Sequence, residues 1–137
     1  MKRVVLDTNV PLVSISDRSS LHWIFQHLID GQYELCITTD ILAEYAEIIE
    51  RHMGSETSNS VLGVIEHLPN VRHITTYFKF QLLRDPDDDK FVDCAIASNA
   101  SYIVSHDKDF NVLSNISFPK VSVIDVKAFQ MDLADEE

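Results

Sequence analysis

Asp7 directly follows the apolar run Val4-Val5-Leu6 and precedes Thr8-Asn9. A carboxylate at the end of a buried strand loses hydration, so it needs a hydrogen-bond donor, a basic group or a cation. Thr8 and Asn9 are short polar groups that could orient it; the plainer reading is a capping Asp that starts the next segment. Asp107 repeats the arrangement after Tyr102-Ile103-Val104-Ser105-His106. Ser105 could hydrogen-bond a carboxylate or a ligand, and Asp109 could support Asp107 or cap the next segment. Glu44 lies three residues after Ile41 and four before Ile48, at the border of the apolar face those residues set with Tyr45 and Ile49. It reads either as a surface acid of an amphipathic helix or as a partly inward one that needs a partner.

Five more carboxylates fall in the nine residues from Asp85 to Asp93. So dense a cluster repels itself unless cations are near. Asp85 and Asp87 read as solvated loop acids, and Asp88 or Asp89 as the cap of the next helix. Asp93 differs, because it sits inside that helix between Val92 and Cys94, ahead of Ala95-Ile96-Ala97-Ser98. An acid in an otherwise apolar helix needs a partner. Hard oxygen ligands of this kind select Mg²⁺ or Mn²⁺ over zinc. Such ions lower the pKa of a water they bind and offset charge on a phosphodiester under attack. Lys90, Lys108 and His106 could meet a phosphate backbone, although the plainer reading of His106 is a structural or exposed histidine. No Ser–His–Asp order, Gly-rich phosphate loop or CxxC pattern offers a competing chemistry.

These acids need a scaffold. Val4–Leu6, Tyr33–Ile37, Val71–Thr75, Ser101–Ser105 and Val121–Ile124 read as short strands. Apolar residues recur at helical spacing between them. They mark helices from Ser19 to Asp30, from a cap at Thr38-Thr39-Asp40 through Ile49, from Val61 to Leu68, and across Phe91 to Ala97. Gly54 to Ser60 is polar and reads as a loop or a helix junction. Alternating strands and helices predict a three-layer α/β/α sandwich with a mainly parallel central sheet. Ligands of such sheets lie beyond the carboxyl ends of the strands, where Asp7 and Asp107 fall. Residues 1–137 read as one domain, with residues 132–137 a frayed acidic tail.

A chain of 137 residues with 45% hydrophobic content can bury a core without disulfides. Its apolar runs are too short to span a bilayer. The opening Met1-Lys2-Arg3-Val4-Val5-Leu6-Asp7 is too short for a signal peptide, so a cytoplasmic protein with no membrane partner is expected. Cys36 and Cys94 read as buried small hydrophobes. A net charge of −11 argues against a protein that coats nucleic acid. It suits a carboxylate site loaded with cations, and it suits a basic partner.

Taken in order, the four segments resemble PIN domains. Val4-Val5-Leu6-Asp7-Thr8-Asn9-Val10 looks like the opening motif of that family, and Leu42-Ala43-Glu44-Tyr45 is similar to its Glu-bearing helix. Asp85 to Ala97 resembles the segment bearing the third acid, and Tyr102 to Phe110 the segment bearing the fourth. The similarity is greatest to the VapC-like ribonucleases, toxin components of bacterial and archaeal toxin–antitoxin systems. Many of these carry Glu at the position of Asp93 and Thr-Gly in place of Ser105-His106; Ser105 keeps the hydroxyl. The resemblance implies a PIN-like fold and a catalytic, metal-binding set of Asp7, Glu44, Asp93 and Asp107. Thr8, Asn9, Ser105, Asp88 and Asp109 would support it, and Lys90, Lys108 and His106 would face substrate. It implies Mg²⁺ or Mn²⁺ as cofactor, and RNA, an antitoxin and a second copy of the chain as partners. Two other readings stand beside the endoribonuclease: a PIN module kept for partner binding, and a structure-specific DNA nuclease.

Overall fold

The structure, a computed structural model, describes residues 1–136. Its elements run β1 (Arg3–Leu6), α1 (Asn9–Ser14), α2 (His22–Ile29), β2 (Glu34–Ile37), α3 (Thr39–Met53), α4 (Ser55–His67), β3 (Val71–His73), α5 (Asp89–Ser98), β4 (Tyr102–Val104), β5 (Val123–Ile124) and α6 (Val126–Glu136). Short 3₁₀ segments cover Pro86–Asp88 and Lys108–Asn115. Val4, Val5 and Leu6 are all buried, as are Leu35-Cys36-Ile37 and Tyr102-Ile103-Val104. Side chains alternate between the two faces of a strand, so burial of consecutive residues means that both faces are covered. This is the sandwich expected from the sequence, and its sheet is parallel throughout.

The strand order is β3-β2-β1-β4-β5. The chain starts in the middle, moves outward through β2 and β3, and returns to build β4 and β5 on the other side of β1. The direction therefore reverses between β1 and β4, where Leu6 lies opposite Val104. Connections leaving such a pair diverge, and a crevice opens at the carboxyl ends of the strands. Asp7 and Ser105 are the next residues on either side of it.

Three helices fix the walls of this crevice. In α3, Ile41, Tyr45 and Ile49 recur every four residues and are buried. The Thr38 hydroxyl caps its start by accepting from the Ile41 amide at 3.2 Å. The Tyr45 hydroxyl donates to the carbonyl of Leu6, tying α3 to the last residue of β1. Helix α5 buries Phe91, Val92, Cys94 and Ala95 against β1, β2 and β4. It carries the chain back to the start of β4 and so runs against the strands, with its N-terminus at the crevice. Helix α6 seats Phe129 among Trp23, Tyr33 and Tyr102, with ring centroids 5.2 to 5.9 Å away.

The structure corrects several boundaries. The polar stretch after α3 is a junction at one residue only, Gly54, whose φ of 90° breaks the helix; Ser55 to Ser60 already belong to α4. The expected frayed tail is helical from Asp132 to Glu136: Leu133 is buried, and Asp132 accepts a hydrogen bond from the Tyr102 hydroxyl at 2.7 Å. Glu137 lies outside the described residues. Helix α1 and the Lys108–Asn115 segment were not expected. α1 is six residues long, too short to display a period, and it carries Pro11 in its first turn, where a missing N–H costs nothing. Cys36 and Cys94 are free and buried.

Candidate functional site

Asp7 is only 7% exposed, and every contact that holds it comes from the reversal point. Its amide donates to the Val104 carbonyl at 3.1 Å. The Ser105 hydroxyl donates to Oδ2 and the Thr8 amide to Oδ1, both at 2.8 Å. The same Ser105 oxygen accepts the Asp107 amide at 2.9 Å, so one hydroxyl fixes both acids. Burial pushes the Asp7 carboxyl up; the Ser105 and Thr8 donors oppose this, and the charges of Asp107 and Glu44 add to it.

Glu44 reaches the site from α3. One oxygen accepts from the Thr8 hydroxyl, and the other pairs with the Lys90 ammonium at 2.6 Å. Thr8 thus bridges Asp7 and Glu44, through its amide and its side chain. Lys90, expected to face substrate, is paired with Glu44 in this structure.

The acid that meets Asp107 in space is Asp88. Carboxylate oxygens of Asp88, Asp107 and Asp109 lie within 4.8 Å of one another. Burial pushes Asp88 up to about 7, with further upward push from Asp107, Asp85, Asp7 and Asp109. Asp93, expected in this place, is elsewhere. It accepts from the Phe80 amide at 3.1 Å and lines clefts formed with Lys79, Gln81 and Ile96. The charges acting on it are those of Asp89 and Lys79, not those of the acidic site. The cause is helix geometry. Asp88 immediately precedes α5 at the end that faces the crevice, without a side-chain capping hydrogen bond, whereas five further residues carry Asp93 about 7.5 Å along the axis and about 140° around it.

The remaining candidates are all exposed. Asn9 and His106 line a cleft of about 330 Å³ together with Asp7 and Asp107. Asp109 donates its amide to Asp107 Oδ1 at 2.9 Å and so orients it. Lys108 is exposed beside Asp107. The arrangement suits a hard divalent cation. Two oxygens on opposite sides of an ion bonded at about 2.1–2.5 Å stand about 4–5 Å apart, and the Asp88–Asp107–Asp109 oxygens have that spacing. A signal for Asp88 was present in the chain. A helix that returns between parallel strands presents its N-terminus to the ligand side, so an acid at that end outranks an interior one.

A PIN-domain family model matches residues 3–109. The chain belongs to the PIN-domain family. Several solved structures are similar in fold. VapBC2 from Rickettsia felis, bound to a DNA fragment from its promoter, aligns with a TM-score of 0.63 at 16% identity, covering 90% of this chain and 98% of that one. VapC20 from Mycobacterium tuberculosis, described as a sarcin-ricin loop cleaving toxin, aligns with a TM-score of 0.58 at 16% identity, covering 79% and 92%. The PIN domain of T. brucei RRP44 aligns with a TM-score of 0.52 at 13% identity, covering 98% and 82%. Among curated protein sequences, none matches the chain significantly. No helix among the described residues of this PIN domain is long and apolar enough to cross a membrane.

Proposed function

We propose that this PIN domain is a metal-dependent endoribonuclease, the toxin component of a toxin–antitoxin pair acting in the cytoplasm. The observation that carries the reading is the convergence of Asp7, Asp88 and Asp107 on the crevice between β1 and β4, with Glu44 joined to Asp7 through Thr8. Asp7, Glu44, Asp88 and Asp107 would hold Mg²⁺ or Mn²⁺, with Asp88 in the role that the sequence suggested for Asp93. When bound, the ion supplies a water of lowered pKa and offsets the charge of the phosphodiester under attack. Ser105 and Thr8 hold the Asp7 carboxylate in one orientation, and Asp109 does the same for Asp107. Asn9 and His106 wall the cleft in which the substrate backbone would lie, and Lys108 stands where it could meet a phosphate.

RNA is favoured over DNA by the motif resemblance and by the similar toxin described as cleaving the sarcin-ricin loop. An antitoxin partner is favoured by the similar VapBC structures from Rickettsia felis and Salmonella typhimurium. The test is cleavage of RNA by purified protein with Mn²⁺ or Mg²⁺. Activity should vanish with chelator, and in Asp7→Asn or Asp107→Asn variants that keep the wild-type melting profile. Wild-type turnover in either variant ends the reading.

A further inference from the structure

Asp93 lies outside the acidic crevice and is 7% exposed. Oδ1 accepts from the Phe80 amide, while Oδ2 accepts no hydrogen bond among the described residues. The residue lines two adjoining clefts. The first, about 270 Å³, is walled by Tyr77, Phe78, Phe80, Ile96 and Ala97. The second, about 250 Å³, brings Asp40, Asp87 and Asp89 to the same carboxylate, together with Lys79 and Lys90. Lys90 is committed to Glu44. Tyr77 and Phe78 are 84% and 74% exposed. Neighbouring large rings left in water mark a contact surface more often than a bare one.

Charge decides among the occupants. A nucleic-acid backbone would run along four carboxylates on a chain of net charge −11, which repels phosphate. A second copy of the chain brings the same charge. A cationic segment meets four carboxylates against Lys79, with Lys90 already paired, and is attracted on balance. A guanidinium fits a carboxylate through two parallel hydrogen bonds and stacks on aromatic faces. An apolar neighbour on the same segment would enter the first cleft, over Ile96 and Ala97. We propose that this double cleft docks a basic segment of a partner protein, with Asp93 receiving an arginine and the Tyr77-Phe78-Phe80 rings covering its apolar flank. The inference rests on the reading that the chain pairs with another protein and stands whether or not the crevice cleaves RNA.

The experiment titrates the isotope-labelled full chain, followed by NMR. The probes are a short capped peptide of alternating Arg and Leu, its counterpart with Glu for every Arg, and single-stranded oligouridine RNA. The Arg peptide alone should shift the amides of residues 75–80 and 93–97. Its affinity should fall about tenfold, the loss of one charge-assisted contact, in Asp93→Asn, whose amide oxygen can still accept from Phe80. Phe78→Ala should weaken it as well, with the melting temperature unchanged because the ring is exposed. No binding, shifts confined to other amides, undiminished affinity in Asp93→Asn, or RNA shifting the same amides would each overturn the proposal. Shifts at other amides would leave the partner reading standing, and RNA cleavage is scored separately.

Discussion

Asp88 stands just before α5 and Asp93 inside it, and two acids of one type meet opposite surroundings. Asp88 sits just before α5, where burial, and after it the like charges around it, push its carboxyl up to about 7. Asp93 sits in the helix interior among aromatic rings, with one oxygen on a backbone amide and a lysine for its nearest opposite charge. Carboxylates crowded together are strained until a cation joins them. A carboxylate between an aromatic wall and other acids, with one oxygen already on a backbone amide, keeps room for one further donor. We read the first as a site for a multiply charged ion and the second as a site for one side chain.

The largest expected effect tests that division directly. Asp88→Asn should abolish the rise in melting temperature that Mn²⁺ confers and lower metal-dependent cleavage about a hundredfold or more. Asp93→Asn should keep the Mn²⁺ rise in full. Equal losses in both, read by thermal shift, would break the comparison. A smaller effect concerns the ammonium that neutralises Glu44. Lys90→Met should tighten Mn²⁺ binding about threefold, because a competing positive charge is gone; calorimetric titration giving unchanged or weaker binding would place Glu44 outside the metal set. The smallest effect is a slope. Asp88 titrates near 3.8 when unfolded and about 7 when folded. Between those values the folded, metal-free chain holds more protons than the unfolded one, so stability is present at low pH and is lost as pH rises through about 7. Asp7 shifts in the same direction. Melting curves should show this fall, shallower in Asp88→Asn, and an identical slope in wild type and variant would count against it.

Much of the crevice was legible in the chain. Val4-Val5-Leu6 and Ile103-Val104 are buried β-branched runs that stop abruptly at polar residues, so Asp7, Ser105 and Asp107 announce strand ends. Glu44 betrays itself by its place at the border of an apolar stripe. Its partners do not, since Thr8 and Lys90 come from 36 and 46 residues away. Asp93 misleads because an acid inside an apolar helix is a louder signal than the direction in which that helix runs; the cap expected of Asp88 or Asp89 is not made, since Asp88 accepts no capping hydrogen bond and Asp89 accepts from the Leu83 amide. Helix α6 is hidden by its acidic composition, although Val126, Phe129 and Leu133 follow helical spacing and all are buried.

The two outer strands of the sheet have a consequence for the protein in bulk. β3 has three residues and β5 has two, so each rim offers a neighbouring molecule almost no open backbone to zip onto. With eleven surplus negative charges on every copy, concentrated solutions should stay dispersed and resist seeding into fibrils.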